Sequence, residues 1–376
     1  MSEKAPLMLL LVLAAGCVTG SQNAPPAAPQ TIPNEWLSVP SATRIGSVTL
    51  AEDGKVTTTA ERSPVRLSDG PIRIVPNGGG STLMNGDTVL TAGLGTIESL
   101  DLSESRGEVA FSARRENGFD IALIATEGGE VHWLPTNDPA DELAVQWAPR
   151  GHKISYVIRA SGGDIVRTLH IPTAHQYAIP FTGATIHALA WDPQAERYAV
   201  AYSTPESSDR VEVLEYSGEE RRTAIAPERT LDVEVGPFAP GAIVLHPRDI
   251  RYNEKLPLVV WIADDFSWSD ARAALLTKAR VVVVVTTRTP DAALWKAAEG
   301  TAWLDSTRVF VVGQTVDGQV TGPPSATAIV ADPALDGRYE RRGNLVAVPP
   351  AVVQSFAAGY IAAQLERDRP TNGSSR

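Results

Sequence analysis

A repeat of about 45 residues constrains this chain more than any other feature of its sequence. Leu102-Ser103-Glu104-Ser105-Arg106-Gly107-Glu108-Val109-Ala110-Phe111 aligns with Trp147-Ala148-Pro149-Arg150-Gly151-His152-Lys153-Ile154-Ser155-Tyr156. Both align with Trp191-Asp192-Pro193-Gln194-Ala195-Glu196-Arg197-Tyr198-Ala199-Val200, at offsets of 45 and 44 residues. Each copy has one grammar: a bulky apolar residue closes a strand, a polar or Pro turn follows, and an alternating strand returns. That period suits one four-stranded blade of a β-propeller. A lone blade cannot bury its two faces, so blades stack around an axis. Further alternating runs, at Ile45 to Leu50 and Val211 to Tyr216, extend the pattern, and Gly-rich turns separate them. The expectation is a short propeller over residues 44–235, with a fourth, more irregular blade between 44 and 96.

From Leu256 the pattern changes. Leu258 to Ile262, Val281 to Val285, Val309 to Val312, Ala326 to Ala331 and Leu345 to Val348 are uniformly apolar short runs. Strands that are apolar on both sides are buried on both faces. Between them Ser269 to Lys278 and Asp291 to Trp303 read as helices, and Ala351 to Arg367 as a strong final one. Strand–helix alternation of this kind means a compact, mostly parallel sheet covered by helices, here over residues 236–367. The fold class is thus multidomain, β followed by α/β. Residues 368–376 are a polar tail, read as disordered.

The amino terminus carries a different signal. Lys4 precedes an apolar run from Leu7 to Ala15, which ends in Ala14-Ala15-Gly16-Cys17. This describes a secretory signal over residues 1–16, and the run is too short to span a bilayer as a helix. Small residues followed by Cys resemble the bacterial lipobox, which implies a lipid on Cys17 as the first mature residue. The blander alternative is an ordinary signal peptide with an incidental Cys. Val18 follows, and under the enterobacterial sorting pattern a residue other than Asp implies the outer membrane, facing the periplasm or the surface. Residues 17–43, with Ala24-Pro25-Pro26-Ala27-Ala28-Pro29, read as a Pro-rich tether from that lipid. Cys17 is the only Cys, so no disulfide can form within the chain. A net charge of −11 argues against nucleic acid as a partner.

A propeller followed by an α/β domain is the order found in the prolyl oligopeptidase-like serine peptidases. Leu256-Pro257-Leu258-Val259-Val260-Trp261-Ile262 resembles that family's first sheet strand, which leads into a His-Gly-Gly loop. Trp303-Leu304-Asp305-Ser306-Thr307-Arg308-Val309-Phe310-Val311-Val312-Gly313 resembles its approach to the nucleophile. Trp147-Ala148-Pro149-Arg150-Gly151 and Trp191-Asp192-Pro193 resemble the turns of bacterial Tol-associated propeller repeats. The resemblance implies an α/β-hydrolase-like second domain with a nucleophile in a G-x-S-x-G turn. Thr315 stands at the Ser position, Asp317 replaces the second Gly, and Asp332 matches the acid. Ala263-Asp264-Asp265 replaces the His-Gly-Gly oxyanion loop.

The chemistry does not carry over with the pattern. A hydroxyl nucleophile needs a His base, and no His follows His246. A β-branched residue at a strained turn is itself costly. Carboxylates at Asp264 and Asp265 would repel a developing oxyanion. One unit charge at about 4 Å is worth roughly 4 kcal/mol at an effective dielectric near 20. Gly322-Pro323-Pro324 argues against a long supporting helix after the turn. Asp264, Asp265 and Asp317 could instead hold Mg²⁺ or Ca²⁺; the simpler reading is solvated loop acids, with no metal and no cofactor. The expectation is a non-catalytic envelope lipoprotein that binds or scaffolds an envelope protein partner. The alternative is a divergent hydrolase using Thr315.

Overall fold

The computed structural model describes residues 28–60, 71–135, 140–160, 162–313 and 322–368. The chain forms two compact units: Pro40–Val235 with Asp265–Ala273, and the remainder. Cys17, Thr315, Asp317 and the tail beyond Asp368 lie outside the described residues.

The first unit contains three four-stranded antiparallel sheets in propeller-like succession. They comprise Ile97–Ser103, Glu108–Arg114, Phe119–Ala125 and His132–Trp133; then Asp141–Trp147, Lys153–Arg159, Ile165–His170 and His175–Pro180; then Thr185–Trp191, Arg197–Thr204, Ser207–Glu215 and Arg221–Ile225. Each second strand packs in both directions, as a period of two requires. In the first sheet Val109, Phe111 and Ala113 face one cluster while Ala110 faces the next. In the second, Ile154, Tyr156 and Ile158 face back and Val157 faces forward. In the third, Tyr198, Val200 and Tyr202 face back and Ala199 and Ala201 forward. Each fully buried Val, Ile or Phe contributes about 1.5–3 kcal/mol, so the stack itself is the core.

The turn between first and second strands repeats as well. Gly107, Gly151 and Ala195 occupy one position, all with φ between 61° and 66°. Ala195 adopts the left-handed conformation without glycine's freedom, at a cost of about 1–2 kcal/mol. Asp192 offsets it: its buried carboxylate accepts from the Glu196 and Arg197 amides at 2.9 and 3.2 Å.

Over 44–96, where a fourth and more irregular blade is expected, the described residues form no four-stranded sheet. That stretch makes two separate sheets, Ser47–Leu50 with Val56–Thr59, and Ile72–Asn77, Gly80–Asn85 and Thr88–Leu94. Ile45, Val48 and Leu50 pack on the third four-stranded sheet, whereas Ile72, Leu83 and Leu90 pack on the first. The reason is one of apolar faces. Val56-Thr57-Thr58-Thr59 has no second buried face to join the two pieces, so each seeks its own apolar neighbour.

The second unit is built on a nine-stranded sheet. Its centre is five parallel strands, in the order Leu345–Val348, Thr327–Ala331, Leu304–Gly313, Leu256–Ile262 and Val282–Thr286. Val282 to Val285 are wholly buried. The expected mostly parallel sheet is in fact mixed. Ala242–Pro247 and Arg338–Arg342 add antiparallel strands at the two sides, and Gln30–Thr31 pairs with the latter. The helix Ala292–Gly300, capped by Asp291 on the Leu294 amide, buries Leu294 on one sheet face. The helix Val353–Arg367 buries Phe356, Ala357 and Ile361.

Residues 30–37, within the stretch read as a tether, are structured in this unit. Gln30–Thr31 is a strand and Asn34–Leu37 a helical turn. Tyr339 donates to Gln30 Oε1 at 2.6 Å. Trp36 meets Tyr339, Phe356 and Tyr360 at ring separations of 5.4–5.9 Å. Gly359 makes this possible, since a Cβ there would run into the Trp36 backbone. Among the described residues no helix is long and apolar enough to cross a membrane.

Candidate functional site

The parallel strands bring three of the positions singled out in the sequence to one edge of the sheet. Pairing sets Ile262 beside Thr286, Gly313 beside Val330 and Ala331 beside Val348. Ala263, Gly313 and Asp332 therefore lie at the carboxyl ends of adjacent strands, where open α/β sheets place ligands. Gly313 has φ 144°, and a Cβ there would lie 2.6 Å from Ile262 Cβ and 3.0 Å from Ile262 O. Only glycine fits this junction. Thr315 and Asp317, the next positions of interest, lie outside the described residues.

Around Gly313 the polar groups are already engaged. The Ala263 amide donates to Thr286 O at 2.9 Å, which continues the sheet ladder. Asp332 accepts from its own turn, at the Ala334 amide, 2.9 Å away. Asp264 is exposed. Asp265 belongs to the other unit, where it accepts from the Ser267 amide at 2.8 Å. The sheet unit's only His is His246. It follows Leu245, which pairs with Val283, while Ala242 pairs with Thr286. His246 thus sits at the amino-terminal edge of the parallel strands, about 13 Å along the sheet from the Thr286 edge. There its ring lies 5.0 Å from that of Trp303, tilted by 50°, with Nδ1 2.9 Å from Pro247 O.

A second cluster of chemistry-bearing side chains lies inside the repeat unit, and the sequence reading missed it. His187 Nε2 is 2.8 Å from Ser203 Oγ and 3.5 Å from Asp209 Oδ1. The residue types match a nucleophilic triad, but the geometry does not. A triad uses opposite ring nitrogens for acid and hydroxyl; here both face the same one. Ser203 is fully buried, and its oxygen accepts from the Trp268 amide at 3.2 Å. Around them stand Arg44, Arg159, Asp164, Asp265 and Arg272. Arg44 reaches Asp209 at 3.9 Å, and Arg159 reaches Asp164 at 3.3 Å. Burial lowers the His187 pKa, partly offset by Asp209 and Asp265. Burial raises Asp164, against the pull of Arg159. Burial would also raise Asp265, but hydrogen bonds from Ser267 bring it below the usual carboxylate range. Arg272, buried, falls to about 10.

This cluster joins sheets. Asp164 accepts from the Ile186 amide of the next sheet at 2.8 Å, and Asp209 accepts from the Ile45 amide at 2.7 Å. Both carboxylates hold a neighbouring strand by an otherwise unsatisfied buried N–H. The signal was present in the sequence: Asp164 and Asp209 lie 45 residues apart, one period of the repeat. Among the described residues no group of three His, Cys, Asp or Glu is placed to hold a metal ion.

No protein-family model matches this chain. No curated protein matches it either. Solved structures do. Puromycin hydrolase is similar at 15% identity and a TM-score of 0.48, over 70% of this chain and 48% of that one. A prolyl endopeptidase gives 11% and 0.48, over 71% and 45%. A putative dipeptidyl aminopeptidase IV from Bacteroides ovatus gives 11% and 0.44, over 71% and 47%. The chain spans about half the length of these structures.

Proposed function

We propose that this chain is a non-catalytic lipoprotein of the bacterial cell envelope that binds or scaffolds a protein partner. In this reading the nine-stranded sheet is a hydrolase-like unit that has lost its chemistry. The position of His246 carries the reading. A hydroxyl nucleophile needs a base within about 2.6–3.2 Å, and the sheet's one His is at the far edge. His187 is buried among groups that join sheets. Purified protein should hydrolyse neither ester nor peptide substrates, and a fluorophosphonate probe should leave it unlabelled. Labelling that disappears in Thr315→Ala would overturn the reading.

One observation favours the alternative of a divergent hydrolase. Gly313 keeps a backbone conformation closed to other residues, two positions before Thr315 in the sequence. That alternative predicts stoichiometric probe labelling, so the same experiment separates the two.

Attachment to the outer membrane, facing the periplasm or the surface, would run through a lipid on Cys17. Growth with an alkyne-tagged fatty acid should label the wild-type chain and not Cys17→Ala. Equal labelling of both would remove the anchor from the reading.

A further inference from the structure

The cluster around His187 satisfies its acids better than its cations. All of its members belong to the repeat unit. Each carboxylate is held by a backbone amide: Asp164 by Ile186, Asp209 by Ile45 and Asp265 by Ser267. Arg159 and Arg44 add to the first two, at 3.3 and 3.9 Å. Arg272 stands apart. It is only 2% exposed, and its Nη2 donates to Ser267 O. Its Nε and Nη1 have no hydrogen-bond partner, and it makes no ion pair among the described residues. The Nε of Arg159 is buried without a partner as well. Against these donors the cluster sets one unmatched acceptor, Asp209 Oδ1, 3.5 Å from His187 Nε2.

Buried polar groups are nearly always hydrogen-bonded, and a desolvated guanidinium is the costliest kind to leave unmet. Water supplies lone pairs for such donors but no charge. An anion supplies both, in the stronger, charge-assisted form of hydrogen bond. The unmet donors also share one polar environment. Asp265 and Arg44 act on Arg272, and the same two act on His187 together with Asp209 and Arg159. Arg44 and Arg159, with side chains 46% and 35% exposed, form the solvent side of the cluster.

We propose that this cluster binds a carboxylate, with Arg272 as the buried anchor and Arg159 as the second donor. The charge it takes up is single. Arg44, Arg159 and Arg272 cancel Asp164, Asp209 and Asp265, and burial keeps His187 neutral. One carboxylate is balanced by one proton on His187, whereas a phosphate dianion finds no second counterpart. The carboxylate belongs to a small free acid or to the carboxyl terminus of a peptide, the same chemistry from two sources. The inference concerns the repeat unit and holds whether or not the sheet unit is catalytic.

The test uses the purified full chain and acetate, followed by saturation-transfer NMR. Acetate should bind saturably, and inorganic phosphate at equal concentration should not displace it. Arg272→Met keeps the buried volume without the donors and should weaken binding at least about tenfold, as loss of a hydrogen bond to a charged group does. Arg44→Gln, at a half-exposed position, should weaken it about two- to fivefold, and it decides the matter if circular dichroism shows Arg272→Met unfolded. Arg115→Gln, an exposed cation paired with Asp120 elsewhere in the unit, should bind as wild type does. A short Gly–Ala peptide that competes with acetate, while its amidated form does not, assigns the site to peptide termini. Competition by neither form assigns it to small acids. No saturable binding, displacement by phosphate, or wild-type affinity in Arg272→Met and Arg44→Gln overturns the proposal and leaves water as the partner of these donors.

Discussion

Gly313→Val is expected to lower the chain's unfolding free energy by about 3 kcal/mol or more, with an earlier midpoint in urea followed by Trp fluorescence. Two costs add. A non-glycine residue held in a sparsely populated backbone region costs about 1–3 kcal/mol, and Gly313 has φ 144°. Overpacking a tight site costs a further 1–3 kcal/mol or so, and the new Cβ would sit 2.6 Å from Ile262 Cβ. Neither side can yield cheaply, because Leu256–Ile262 and Leu304–Gly313 are paired neighbours at the centre of the sheet. Gly322→Ala serves as the control: a Cβ there meets nothing closer than 3.4 Å, and the change should fall within about 0.5 kcal/mol. Equal midpoints for the two variants would show that the junction is not constrained as described.

Asp209→Ala should destabilise the repeat unit by about 2–3 kcal/mol. It strands the buried Ile45 N–H, worth about 1–3 kcal/mol, and leaves Arg44 and His187 without their carboxylate. The Arg44 share is small, since its side chain is 46% exposed and can rehydrate. Asp164→Ala should cost a similar amount through the Ile186 amide. Asp120→Ala, one strand position beyond the repeat equivalent of Asp164, should cost within about 0.5 kcal/mol. Its carboxylate meets the half-exposed Arg115 at 3.2 Å instead of a neighbouring sheet. Three equal losses would dissolve the argument. His187 adds a pH dependence. Its pKa is lowered in the folded state, so below the unfolded value near 6.5 the unfolded chain binds the extra proton. Stability from this group is full above that pH and falls as acid approaches the folded pKa. His187→Gln should flatten the slope below about pH 6.5 in urea titrations.

Much of the architecture was legible because its causes are local. The run Val281 to Val285 could only be a strand buried on both faces, and the structure places a strand at Val282–Thr286. The repeat at 102, 147 and 191 marked the same turn in three sheets, down to the left-handed residue at 107, 151 and 195. Arg338–Arg342 was not legible. Arg-Tyr-Glu-Arg-Arg has no apolar alternation, and it becomes a strand because Gly343 turns it back onto Leu345–Val348. Gln30–Thr31 was hidden in the same way, between prolines, and is a strand only through Tyr339 and its neighbours.

The site was legible only as types and spacing. Asp264 and Asp265 are adjacent in sequence, yet one is exposed and the other joins the cluster around His187. Side-chain period, turn chirality and the roster of His, Cys and acids are properties of neighbouring residues, so amino-acid order alone specifies the three sheets, the parallel strands and the lack of any His after His246. Burial and pairing sum over residues far apart in the chain. Long-range packing settles that Asp164 and Asp209 each hold a neighbouring segment while Asp120 does not. It alone set Trp36 on Gly359 and placed His246 at the edge away from Gly313.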